Sequence, residues 1–217
     1  MATLLRPRPV RLEGRLPYLY EADDQEGIRP LILFLHGSDE RGDGKNELER
    51  VKVYGLPKVL KTRNPFSEDV FVIAPRCPEE TRWIDRIEAL KFLLDDTIER
   101  YDVEAKRIYL TGLSLGGQGV WFLGAAYPDL FAALVPICGR SHPKNACALK
   151  EVPIWVFHGA KDDRVPLVES TEMVEAVNAC GGNAALTIYP KVGHISWNDA
   201  YDAPELYHWL LEQRKRN

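Results

Sequence analysis

The chain has 217 residues, 45% hydrophobic and 28% charged, with 28 basic side chains against 32 acidic ones and a net charge of −4. One domain spanning 1–217 is expected at that length, with a core large enough to need no disulfide or metal staple. The composition excludes disordered, collagen-like and low-complexity chains, and the balanced charge argues against a nucleic-acid partner, which would call for a basic face.

No apolar run reaches the roughly 18 residues of a membrane span. The apolar stretch within residues 1–9 is too short for the core of a signal peptide, so a cytoplasmic protein is expected. An antiparallel edge strand or hairpin is expected within residues 10–22. Residues 30–35, Pro-Leu-Ile-Leu-Phe-Leu, then form a short continuous apolar run closed by His36-Gly37. Such runs mark strands buried on both faces of a parallel sheet. The same signature recurs at 70–74, 107–111, 131–137, 153–157 and 185–189, each stopped by Gly, Pro or Cys-Gly.

Helical spacing lies between these strands. Ile87, Leu90, Leu94 and Ile98 predict a helix over 86–101, and further helices are expected at 115–127, 167–180 and 201–214. Gly181-Gly182 supplies the stop for the third. The polar, Gly-rich residues 38–50 read as a loop. Alternating strands and helices predict an α/β fold, a mostly parallel central sheet with helices on both faces in a three-layer sandwich. Such sheets bind ligands at the carboxyl ends of their strands.

Four cysteines, Cys77, Cys138, Cys147 and Cys180, include no CxxC pair, so no structural zinc site is expected. They read as free thiols, the usual state of scattered buried cysteines. A Cys138–Cys147 bridge stays open.

Gly112-Leu113-Ser114-Leu115-Gly116-Gly117 joins the strand ending at Thr111 to a helix. In that context G-x-S-x-G builds a nucleophile elbow, a turn sharp enough to lift the serine hydroxyl above the sheet. The blander reading is a glycine-rich helix start with Ser114 as a cap. A serine needs a base to take its proton, and His194 follows the last strand on a loop. His36 and His158 sit in strand-ending His-Gly pairs and read as packing or hydrogen-bonding groups. His208 falls inside a helix, and His142, on a loop, is the rival. An acid is expected at the end of the strand before His194, where Asp162 and Asp163 are adjacent. Spacing does not choose between them.

Four blocks together resemble the α/β-hydrolase superfamily: Leu35-His36-Gly37-Ser38-Asp39-Glu40-Arg41-Gly42, the Ser114 elbow, His158-Gly159-Ala160-Lys161-Asp162-Asp163-Arg164-Val165-Pro166, and Gly193-His194-Ile195-Ser196-Trp197. Within it, the chain resembles the phospholipase/carboxylesterase and dienelactone-hydrolase-like serine esterases, including a bacterial "predicted peptidase" group. The resemblance implies Ser114 as nucleophile, His194 as base and Asp162 as the acid. It also implies backbone N–H groups of Ser38 and Leu115 as the oxyanion hole. It implies no metal or organic cofactor and a small-molecule ester as partner. Dienelactone hydrolases proper carry cysteine at the nucleophile, which disfavours that activity.

Trp83 and Trp197 are candidates for a substrate-pocket wall, whereas Trp121 is expected in the core. Glu40 and Arg41 read as a solvated ion pair. No long insertion offers a lid, so a serine carboxylesterase for short acyl chains is expected. The rivals are a serine peptidase of the prolyl-oligopeptidase type and a catalytically inactive binding protein of the same fold.

Overall fold

The computed structural model describes residues 6–8, 16, 18–21, 27–42 and 47–215. All six apolar runs are strands: β3 (Arg29–Leu35), β4 (Phe71–Pro75), β5 (Val103–Leu113), β6 (Ala133–Ile137), β7 (Ile154–Gly159) and β8 (Ala184–Tyr189). These six run parallel to one another. β1 (Arg6–Arg8) and β2 (Tyr18–Glu21) add an antiparallel edge, giving the order β1-β2-β4-β3-β5-β6-β7-β8. The hairpin's second strand lies within the expected 10–22 span, its first lies before it, and residues 9–15 and 17 are outside the described set.

The sheet is buried on both faces because its side chains alternate. Ile32 and Phe34 of β3 join a core beneath α1 (Gly55–Thr62), α5 (Trp197–Asp202) and α6 (Pro204–Glu212). Leu31, Leu33 and Leu35 join the opposite core beneath α2 (Ile87–Arg100), α3 (Leu115–Ala126) and α4 (Val168–Ala179). Each fully buried Leu, Ile or Phe contributes roughly 1.5–3 kcal/mol. Two expectations need correction. The last helix is not continuous: α5 ends at Asp202, and Pro204 opens α6 at a position where its missing N–H costs no hydrogen bond. The 38–50 loop contains helical turns at Ser38–Glu40 and Glu47–Lys52, with residues 43–46 outside the described set.

The reading of four free thiols also fails. Cys147, in the turn Pro143–Leu149, is bridged to Cys180 at the end of α4, with Cα atoms 5.2 Å apart. Cys77 and Cys138 are the buried free thiols. Closing a 33-residue separation stabilises by roughly 3–4 kcal/mol in the chain-entropy account. Bridges of this kind persist mainly in oxidising compartments, which weighs against the cytoplasmic expectation. Among the described residues no helix is long and apolar enough to cross a membrane.

In strand order the chain steps from β3 to β4 on one side and returns to β5 on the other. This reversal opens a crevice at the carboxyl ends of β3 and β5. Ser38 follows β3 and Ser114 follows β5, while Asp162 and His194 follow β7 and β8.

Candidate active site

Ser114 has φ 52° and ψ −112°, outside the regions an L-residue favours. Its N–H donates to the Ile137 carbonyl at 2.9 Å, which ties the turn to the end of β6. The glycine at 116 is required by contact. A Cβ there would lie 1.9 Å from the Leu35 carbonyl oxygen, and one at Gly112 would lie 2.7 Å from the same atom. The elbow therefore presses against β3, and the hydroxyl of Ser114 is left facing the crevice.

Ser114 Oγ lies 2.9 Å from His194 Nε2, and His194 Nδ1 lies 2.7 Å from Asp162 Oδ2. A carboxylate can only accept, so Nδ1 carries the proton and Nε2 is the acceptor for the serine hydroxyl. Asp162 Oδ1 accepts from the Arg164 and Val165 N–H groups, both at 2.9 Å. Burial opposes the charge on Asp162, but these two donors and His194 outweigh it and hold its pKa below the ordinary value. Of the two adjacent aspartates, Asp162 contacts His194, while Asp163 is exposed at the cleft rim. His142 instead caps the turn Pro143–Leu149.

The Cys138 thiol, Asp162 and His194 come within 4.8 Å of one another. Burial pushes Cys138 up to about 12, and its S–H donates to the His194 carbonyl at 3.3 Å. The thiol thus braces the His194 loop as a neutral donor.

On the opposite wall, His36 fixes the turn after β3. Its Nε2 accepts from the Cys77 N–H at 3.0 Å, so Nδ1 donates to the Gly37 carbonyl at 2.6 Å. Burial lowers its pKa to about 4, with Arg76 and Arg41 adding to the effect and the Gly37 bond opposing it. Ser38 opens a 3₁₀ turn and Leu115 opens α3, so both N–H groups are first-turn donors without an intrahelical carbonyl. The Ser38 hydroxyl turns aside to Asp39 at 3.2 Å.

Trp83 is not a pocket wall. It is fully buried, and its Nε1–H donates to the His36 carbonyl at 2.9 Å, supporting the Ser38 turn from behind. Trp197 does line the cleft, edge-on to both His194 and Tyr54. Trp121 is buried in the core as expected. The cleft encloses about 470 Å³ between Ser38–Glu40, Tyr54, the Ser114 elbow, Asp163-Arg164 and the His194–Trp197 loop. The sequence reading missed Tyr54 and Ile195 as wall residues. Tyr54 precedes α1, whose Leu56, Val59 and Leu60 follow helical spacing that Pro57 disguises.

Glu40 and Arg41 are not a solvated pair. Arg41 is spent on the Ser38 and Thr81 carbonyls at 3.1 and 3.2 Å. Glu40 is buried at the cleft, 2% exposed, and its Oε1 has no hydrogen-bond partner among the described residues. Burial raises its pKa to about 7, with Asp39 adding to the rise. Backbone N–H groups of Glu40 and Gly37, and the charge of Arg50, counteract it. The folded state therefore holds this proton above the unfolded pKa, so stability falls as pH rises from about 4.5 through about 7. Glu40→Gln keeps the shape without the charge and should raise Tm more at about pH 8 than at about pH 5. Thermal melts at both values check this, and equal shifts would show that the carboxyl does not ionise at a cost.

A profile of the Dienelactone hydrolase family matches residues 79–206, which hold the serine elbow, Asp162 and His194. The chain is 26% identical over 161 residues to the bifunctional acetylxylan esterase/xylanase XynS20E of Neocallimastix patriciarum, covering 69% of this chain and 22% of that protein. It is 35% identical over 78 residues to poly(3-hydroxyalkanoate) depolymerase C of Paucimonas lemoignei, covering 36% of this chain and 18% of that one. The chain thus spans about a fifth of these relatives' length. Among solved structures, a thermostable esterase superposes with a TM-score of 0.81 at 29% identity, over 99% of this chain and 64% of its own. With the profile covering more than half of its residues, the chain belongs to the dienelactone hydrolase family.

Proposed function

We propose that the protein is a serine carboxylesterase that hydrolyses short-chain acyl esters through an acyl-enzyme, with one domain carrying the whole machinery. The observation that supports this best is the hydrogen-bonded line Ser114–His194–Asp162, at 2.9 and 2.7 Å, opening into one cleft. Ser114 attacks the ester carbonyl as His194 Nε2 takes its proton. His194 then passes that proton to the departing alcohol. Asp162 holds the ring and stabilises the imidazolium. The N–H groups of Ser38 and Leu115 receive the oxyanion, each contributing about 3 kcal/mol to the barrier reduction. Water, activated by the same histidine, releases the acid. Every step is supplied by this chain's own side chains and backbone.

The likeness to an acetylxylan esterase supports trying acetylated carbohydrates first as natural substrates. A series of p-nitrophenyl esters, acetylated xylan and peptide amides tests the reading. Turnover should peak at short acyl chains and be negligible on the amides. A maximum on long-chain emulsions would remove the short-chain assignment, and faster cleavage of peptides than of esters would make the protein a peptidase.

A further inference from the structure

His158 is the penultimate residue of β7 and is fully buried, and the mechanism above does not use it. Its surroundings are nevertheless specific. Nε2 lies 3.1 Å from Asp162 Oδ2 and 2.9 Å from the Val165 carbonyl oxygen. Both of those atoms only accept, so Nε2 must carry a proton. Nδ1 lies 2.7 Å from the hydroxyl of Ser170, itself fully buried on α4. With the neutral ring protonated at Nε2, Nδ1 accepts and Ser170 donates. The two acceptors at Nε2 therefore select the tautomer that points a proton at Asp162, and the Ser170 hydroxyl completes it by donating to Nδ1.

Asp162 then receives four donors. Oδ1 takes the Arg164 and Val165 N–H groups, and Oδ2 is shared between His194 at 2.7 Å and His158 at 3.1 Å. A buried carboxylate whose oxygens each accept two hydrogen bonds is fixed in orientation and has its charge spread over all four donors. We propose that His158, held in this tautomer by the acceptors at Nε2, is a positioning residue that shares Asp162 Oδ2 with His194, fixing the carboxylate and moderating its pull on the His194 proton. The inference rests on the proposed esterase reading, since it assigns a role within that machinery.

Without the His158 donor, more of the Asp162 charge falls on His194. The imidazolium is then favoured, and the neutral base appears only at higher pH. Among the described residues, the other charged or titratable groups around His194 are the Cys138 thiol from the end of β6, Asp163 and Arg164 on the acid's loop, and Asp39, Glu40 and Tyr54 across the cleft. All of these are unchanged by substitution at 158, so a change in profile reports the lost bond.

The test compares His158→Asn, whose amide is too short to reach Asp162, with His158→Gln, whose amide can take the place of Nε2. Ester hydrolysis by the full chain is followed against pH, after thermal melts establish folding. Asn should lower kcat on the order of 10-fold or more, the range that outer hydrogen-bond partners command. It should also move the rising limb of kcat/KM upward by about half a pH unit or more. Gln should retain the wild-type limb. A folded Asn variant with an unshifted limb, or a Gln variant displaced as far as Asn, overturns the proposal.

A measurement on the wild-type protein needs no variant to fold. Nitrogen–proton NMR correlations of the His158 ring should show the Nε2–H tautomer, and an Nδ1–H tautomer refutes the proposal. This readout is independent of activity, so it separates failure of the inference from failure of the esterase reading. A wild-type protein without ester hydrolysis defeats the latter alone.

Discussion

Ser114→Ala is expected to lower kcat for ester hydrolysis on the order of 10⁵–10⁶-fold while leaving the fold unchanged. The loss is this large because neither the Ser38 hydroxyl nor the Cys138 thiol is placed to replace the nucleophile. The Ser38 hydroxyl is turned to Asp39. The Cys138 thiol is buried, held protonated and directed at the His194 carbonyl. The fold should survive because Ser114 contributes its backbone to the elbow: its N–H holds the Ile137 carbonyl and its own carbonyl accepts from Gln118. Neither bond needs the side chain, and alanine relieves no clash. Turnover and circular dichroism on the same preparation decide the matter. A folded variant keeping more than a few per cent of activity would remove Ser114 from the role of nucleophile.

The second large effect comes from Asp162→Asn, expected to cost about 10⁴ in kcat. The orientation of the new amide is forced. The Arg164 and Val165 N–H groups both donate at the Oδ1 position, which must remain an oxygen. The amide nitrogen therefore takes the Oδ2 position, where it faces His194 Nδ1 and His158 Nε2. His194 can then satisfy it only by accepting at Nδ1, which moves the ring proton to Nε2 and leaves no acceptor for the Ser114 hydroxyl. Asp163→Asn, at the exposed rim, should change kcat by less than about threefold. Kinetics of the two variants side by side test the choice of acid, and reversed effects would transfer the role to Asp163.

Where the sequence was legible, one residue type carried one message. Runs such as 30–35 and 70–74 admit few readings besides a doubly buried strand, and the Gly or Pro after each marks its end. The elbow was legible because its glycines are forced: a Cβ at Gly116 would lie 1.9 Å from the Leu35 carbonyl oxygen. Pairings distant in sequence were less legible. Nothing local joins Cys147 to Cys180. Trp83 and Trp197 look alike in sequence near the motifs, yet one supports the Ser38 turn from the core and the other faces substrate space. α1 was missed because Pro57 reads as a breaker, although it falls in the first turn, where its missing N–H is tolerated. Glu40 read as a surface charge because glutamate almost always is one. Its burial follows from the turn of Ser38–Glu40 over Gly37, which three residues do not announce.

Covalent labelling of the wild-type chain with a fluorophosphonate, followed by peptide mapping, tests the central claim most directly. The probe forms a stable bond only with a serine whose proton an adjacent base removes beside an oxyanion hole. The account predicts one adduct per chain, on the peptide bearing Ser114, absent in Ser114→Ala and slowed in Asp162→Asn. An adduct on a different residue, or none at all in a preparation that hydrolyses esters, would contradict it.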